Sequence, residues 1–117
     1  MKSFDRQSQP EIETDLIFKT VNSLKFSNFE KFGYQGHNFT IILCTQNDID
    51  TSEDKRQVFY SELTLGNFDL YILKTLPTAE KRKRIFHEVI EAILKTQGYE
   101  NQKAHELASI EMNKYFI

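Results

Sequence analysis

The hydrophobic period of the chain changes at Leu76-Pro77-Thr78. Just upstream, over Gln57–Thr64 and Phe68–Lys74, apolar residues alternate with a period of two. Downstream they recur at three- and four-residue spacing. Pro77 sits where a helix can start, and Thr78 is a candidate cap. A helix is expected from about Ala79 to Thr96, stopping near Gly98, and another from about Asn101 to Tyr115. Before Pro77, Phe39–Thr45, Gln57–Thr64 and Phe68–Lys74 read as strands. The last two flank Leu65-Gly66-Asn67, a short turn that makes them an antiparallel hairpin. Glu11 to Leu24 carries Ile12, Leu16, Ile17, Val21 and Leu24 at helix-like spacing. Lys25–Asn38 and the acidic stretch Gln46–Lys55 read as loops. The expected fold is α+β: an N-terminal helix, a three-stranded sheet containing antiparallel pairing, and two C-terminal helices.

A length of 117 residues suits one domain, expected over residues 11–117 behind a flexible arm at residues 1–10. Fifteen basic residues against 17 acidic give a net charge of −2, which argues against a dedicated nucleic-acid binder. A single cysteine, Cys44, excludes an internal disulfide and a multi-cysteine zinc site. Cys44 lies within an expected strand, where a buried thiol is inert packing. Met1–Gln7 has no apolar core of a signal peptide, and no apolar run is long enough to span a membrane. The expected location is the cytoplasm, of a cell or of an infected host.

The helix after Pro77 carries His87-Glu88-Val89-Ile90-Glu91. His87 and Glu91, four residues apart, share one helix face and can share a metal ion. Glu88, beside the first ligand, would take a proton from an attacking water, the logic of the HExxH helix. Here Glu91 stands where that motif has its second His. In a helical projection Phe86, Val89, Ile90, Ile93 and Leu94 form the buried face, His87 falls at its margin, and Glu88 points well away. The competing reading is a solvated polar face, with Arg84–Glu88 and Glu91–Lys95 as surface ion pairs.

On the last helix, Glu111 projects near the middle of an apolar stripe that includes Leu107, Ala108 and Tyr115. A carboxylate there needs a partner. A metal ion held by His87 and Glu91 would supply one, making Glu111 the third ligand. A buried ion pair with Arg82 or Lys83, or a partly open helix end, would serve equally. His105, at the edge of the stripe, is the alternative ligand, an outer partner, or an ordinary boundary histidine. His37, in Gly36-His37-Asn38, is assigned no role.

The run from Leu76-Pro77 through His87-Glu88-Val89-Ile90-Glu91-Ala92-Ile93, with His105-Glu106-Leu107-Ala108-Ser109-Ile110-Glu111 following, resembles small phage and mobile-element relatives of the ImmA/IrrE-type zinc peptidases. The likeness covers about Phe68 to Phe116. It implies a minimal zincin-like fold and a zinc ion. His87, Glu91 and Glu111 would be the metal ligands, with His105 as the rival for the third, and Glu88 the general base. It further implies a metallopeptidase acting on a regulatory protein. The alternative is a non-catalytic interaction module on the same scaffold, such as a phage inhibitor of a host defence factor. Its contact surface would involve the basic block Lys81-Arg82-Lys83-Arg84 and the aromatics Phe26, Phe29, Phe32 and Tyr34. The acidic residues Asp48, Asp50, Glu53 and Asp54 echo only the opening of an EF-hand loop. Glu53 stands where that loop needs glycine and Phe59 where it needs its bidentate glutamate, so calcium is not expected.

Overall fold

The computed structural model describes residues 12–53 and 55–116. The arm expected at residues 1–10 lies outside the described residues. The fold is α+β, with helices α1 (Thr14–Ser23), α2 (Gln46–Thr51), α3 (Thr78–Thr96) and α4 (Asn101–Tyr115). Its strands are β1 (Lys31–Tyr34), β2 (His37–Cys44), β3 (Val58–Thr64) and β4 (Asn67–Leu73). They form one open mixed sheet in the order β1-β2-β4-β3.

The sheet has four strands, against an expected three. The additional strand, β1, lies in the stretch expected to be a loop. It pairs antiparallel with β2 in a tight hairpin, Tyr34 opposite His37. The two residues between them, Gln35 and Gly36, have φ of 44° and 85°. Positive φ at both positions is what a two-residue turn needs to match the strand twist. β3 and β4 form the expected antiparallel hairpin, while β2 runs parallel to β4, Phe39 beside Phe68 and Ile41 beside Leu70. β3 is therefore an outer strand of the sheet.

The acidic stretch after β2 is also more ordered than a loop. Thr45 and Asp48 form a reciprocal capping box, Asp48 N–H donating to Thr45 Oγ1 at 3.1 Å and Thr45 N–H to Asp48 Oδ2 at 2.9 Å. Two otherwise unpaired backbone donors are satisfied at once, which holds the short helix α2. α3 begins directly after Pro77, and Thr78 makes no capping bond because it is already helical. The helix ends at Gly98 (φ 99°), where Gly98 N–H reaches Lys95 O and Tyr99 N–H reaches Leu94 O. This is the Schellman arrangement, favoured by glycine in the left-handed region.

Phe39 and Ile41 of β2 alternate onto the same face of the sheet as Phe68, Leu70 and Ile72 of β4. Against this face packs α3, whose Ile85, Phe86, Val89, Ile90 and Ile93 are fully buried. α1 contributes Ile17 and Val21, one turn apart, and α4 contributes Ala104 and Ala108. The small residues on α4 let its axis approach α3 closely. Phe18, Phe86, Tyr115 and Phe116 close one end of the core with ring centroids 4.7–5.9 Å apart. The aromatics upstream of β2 divide: Phe26 and Tyr34 are buried, Phe32 half-buried, and Phe29 exposed. No helix among the described residues is long and apolar enough to cross a membrane.

Candidate metal centre

α3 is covered on more than its apolar side. Helices α1 and α4 pack along it, and the edge strand β3 lies against its remaining flank. The projection that sends Glu88 into solvent is therefore overturned: Glu88 is 6% exposed and His87 8%. Glu80, Arg84, His87 and Glu91 follow at four- and three-residue steps and so occupy one face of α3. On α4, His105, Ser109 and Met112 repeat the same spacing and border the same cleft. Gln57 and Val58, at the start of β3, close its third side, and the cleft volume is about 670 Å³.

At one end of this cleft three ligand atoms converge. Nε2 of His87 lies 3.1 Å from Oε1 of Glu91 and 3.2 Å from Nδ1 of His105. Nδ1 of His105 lies 3.6 Å from the same Glu91 oxygen. The His87 and Glu91 side chains are mostly buried, and that of His105 is 60% exposed. The group could hold a metal ion. Burial pushes the Glu91 carboxyl up, but the hydrogen bonds and charges of His87 and His105 outweigh it, and the group sits below its ordinary range. The carboxylate is therefore an acceptor only.

Each ring nitrogen carries either one proton or one lone pair. A proton on Nε2 of His87 serves both short contacts, to Glu91 and to His105. A cation drawing a lone pair from each of the three atoms would suit the same arrangement. Ligands about 2.0–2.1 Å from a tetrahedral zinc ion stand ~3.4 Å from one another, the scale of the three edges seen here. Nδ1 of His87 is buried without a hydrogen-bond partner. The ring is oriented by packing, including an edge contact with His105 at 4.8 Å between centroids.

Of the residues expected at the site, the structure brings together His87 and Glu91, with His105 as the third. Glu111 stands elsewhere on α4: its Oε2 accepts from Lys114 Nζ at 3.0 Å, and it is not a member of the group. Glu111 does share the inner stripe with Ala104 and Ala108, but the cleft opens about a quarter-turn further round the helix. Glu88 lines the cleft beside His87. His37 bonds Tyr34 O and Thr96 Oγ1, away from this group. Lys81 of the basic block is buried with its ammonium 5.9 Å from the Phe26 ring centroid.

Residues that no sequence feature singled out also reach the site. Burial and the charges of Glu91 and Glu88 push the Tyr60 phenol well up, so its hydroxyl stays protonated. Lys55 and Arg56, just before β3, border the cleft. Only the pairing of β3 to β4 brings them there, and no local pattern signals it. No family model matches the chain, and no curated protein or solved structure matches it either.

Proposed function

We propose that the chain is a metal-binding domain of zincin-like character whose His87, Glu91 and His105 hold one zinc ion, and that it hydrolyses peptide bonds. The observation that carries this reading is the convergence of one carboxylate oxygen and two imidazole nitrogens into a group that could hold a metal ion. This donor set suits zinc and is shared with non-haem iron(II), so the metal is identified by measurement. Zinc supplies Lewis-acid polarisation of a carbonyl and lowers the pKa of a bound water.

The chain's own residues do the rest. Glu91 places a negative charge between the two imidazoles, which would offset the charge of a bound cation. Glu88, adjacent to His87 and bordering the cleft, is the general base that accepts a proton and returns it. β3 is an edge strand whose first residue, Val58, borders the cleft, and an extended peptide would add along its free edge. Phage or mobile-element origin, and a regulatory protein as substrate, belong to the same reading by family resemblance.

The test is Glu88→Gln. Zinc content equal to wild type with hydrolysis of an unfolded protein substrate reduced about 10²-fold or more is the expected result. Hydrolysis at the wild-type rate would remove Glu88 from the mechanism. A second reading, a non-catalytic interaction module on the same scaffold, draws on the hairpin tip. Leu63 and Leu65 are 60% and 90% exposed there, as apolar contact residues at interfaces are in free proteins. A zinc-loaded protein that cleaves nothing but captures a single partner stoichiometrically favours that reading.

A further inference from the structure

The three ligand residues are held unequally. His87 and Glu91 lie one turn apart on α3, with side chains 10% and 13% exposed, while the His105 side chain, on α4, is 60% exposed. The half of α4 that carries His105 is also its least secured part. Glu100, at the helix start, makes no side-chain capping bond, and the first turn holds no acidic residue. Lys103 lies in that turn, where the macrodipole disfavours a cation. From Asn101 to Ala108 only Ala104 and Ala108 are buried and Leu107 is half-buried; the rest are exposed. A buried alanine withdraws a single methyl group from water, a small apolar gain. The far end of the helix differs. Rings of Tyr115 and Phe116 pack on Phe18 and Phe86 with centroids 4.7–5.4 Å apart. The Tyr115 hydroxyl also lies 3.2 Å from Thr14 Oγ1.

We infer that the metal is a latch on this half of α4: without it residues 101–108 open locally from α3, and with it the bond to His105 holds them down. The inference rests on the preceding assignment of His87, Glu91 and His105 as ligands and adds the metal's control of the site's shape. α3 supplies two of the three donors and is fixed by the core, so α4 is the element free to move. Elements with few buried apolar contacts open at the lowest free energy. An ion that bridges such an element to a fixed one turns its binding free energy into ordering. His105 and Ser109 form the α4 wall of the cleft, so that wall is complete only while the metal is bound.

The test is amide hydrogen exchange on the full chain, metal-free and at saturating zinc, with zinc content measured on the same samples. In the metal-free protein the amides of residues 104–109 are expected to exchange about tenfold or more faster than those of β2 and β4, which marks a local opening. Zinc should slow them by about tenfold or more. His105→Ala changes an exposed side chain and keeps both α3 donors. At saturating zinc it should lose the slowing. Metal-free exchange of residues 104–109 as slow as that of β4 overturns the inference, because no local opening then exists to be latched. Slowing that persists in His105→Ala overturns it as well. A zinc-loaded wild type whose residues 104–109 exchange as in the metal-free protein fails the inference alone. A wild type that takes up no zinc fails the metal assignment, and the latch falls with it.

Discussion

The two sides of α3 are both buried, for different reasons. On one side Ile85, Phe86, Val89, Ile90 and Ile93 pack into the sheet, α1 and α4 with no exposed surface. On the other, His87 and Glu88 are nearly as buried, yet their neighbours are Glu91, His105, Gln57 and a basic rim. The first side accounts for itself by the transfer of apolar surface from water. The second does not, since burying imidazole and carboxylate groups costs free energy unless something compensates. A helix that spends stability on one face while gaining it on the other is what a functional site built on a core element looks like.

Four substitutions would break or sharpen that contrast. Phe86→Ala should cost about 3–5 kcal/mol in chemical denaturation, since it empties the junction of α1, α3 and α4. A loss below ~1 kcal/mol would mean the apolar side is not the stabilising one. Glu91→Gln should change the stability of the metal-free protein by at most about 1.5–3 kcal/mol, the scale of a charge-assisted hydrogen bond. It should also abolish the rise in melting temperature that added zinc gives the wild type. Tyr60→Phe reports through pH. Burial and the charges of Glu91 and Glu88 raise the phenol above its ordinary value of 10.0. The unfolded chain therefore ionises first, and stability that is intact below pH 10 falls as the pH rises beyond it. The phenylalanine variant should lose that alkaline limb, and an identical pH profile would show that Tyr60 is not held neutral. Arg84→Ala removes an exposed i,i+4 pair with Glu80 and an exposed hydrogen bond to Gln57, and should cost about 1 kcal/mol or less.

The apolar side of α3 was legible in the sequence because helical periodicity repeats over nineteen residues. The same holds for α4, whose expected and observed limits coincide, and for the hairpin of β3 and β4. Two elements escaped that reading. α2 rests on the Thr45–Asp48 capping box and buries only Ile49, so six residues offer no period to detect. β1 is four residues long with Gly33 inside it, and its pairing to β2 depends on the Gln35-Gly36 turn.

The site was legible in part, for a related reason. His87 and Glu91 share one helix, so spacing alone puts them together. The third ligand comes from α4, and which of its residues faces Glu91 depends on how the two helices are rotated against each other. Ala104 and Ala108 set that rotation, directing His105 to the cleft and leaving Glu111 with Lys114. A projection of α4 by itself marks Glu111 as the buried polar residue and cannot show the neighbouring helix. The burial of Glu88, though not its candidacy as general base, escaped for the same reason: only the approach of β3 turns its side of α3 from surface into cleft.

The most direct measurement is the metal content of the purified protein by elemental mass spectrometry, wild type beside His87→Ala, His105→Ala and Glu111→Ala. The account predicts about one zinc per wild-type chain, retained by Glu111→Ala and lost from both histidine variants. No metal in the wild type after zinc is added, or loss on changing Glu111 with retention on changing His105, would contradict it.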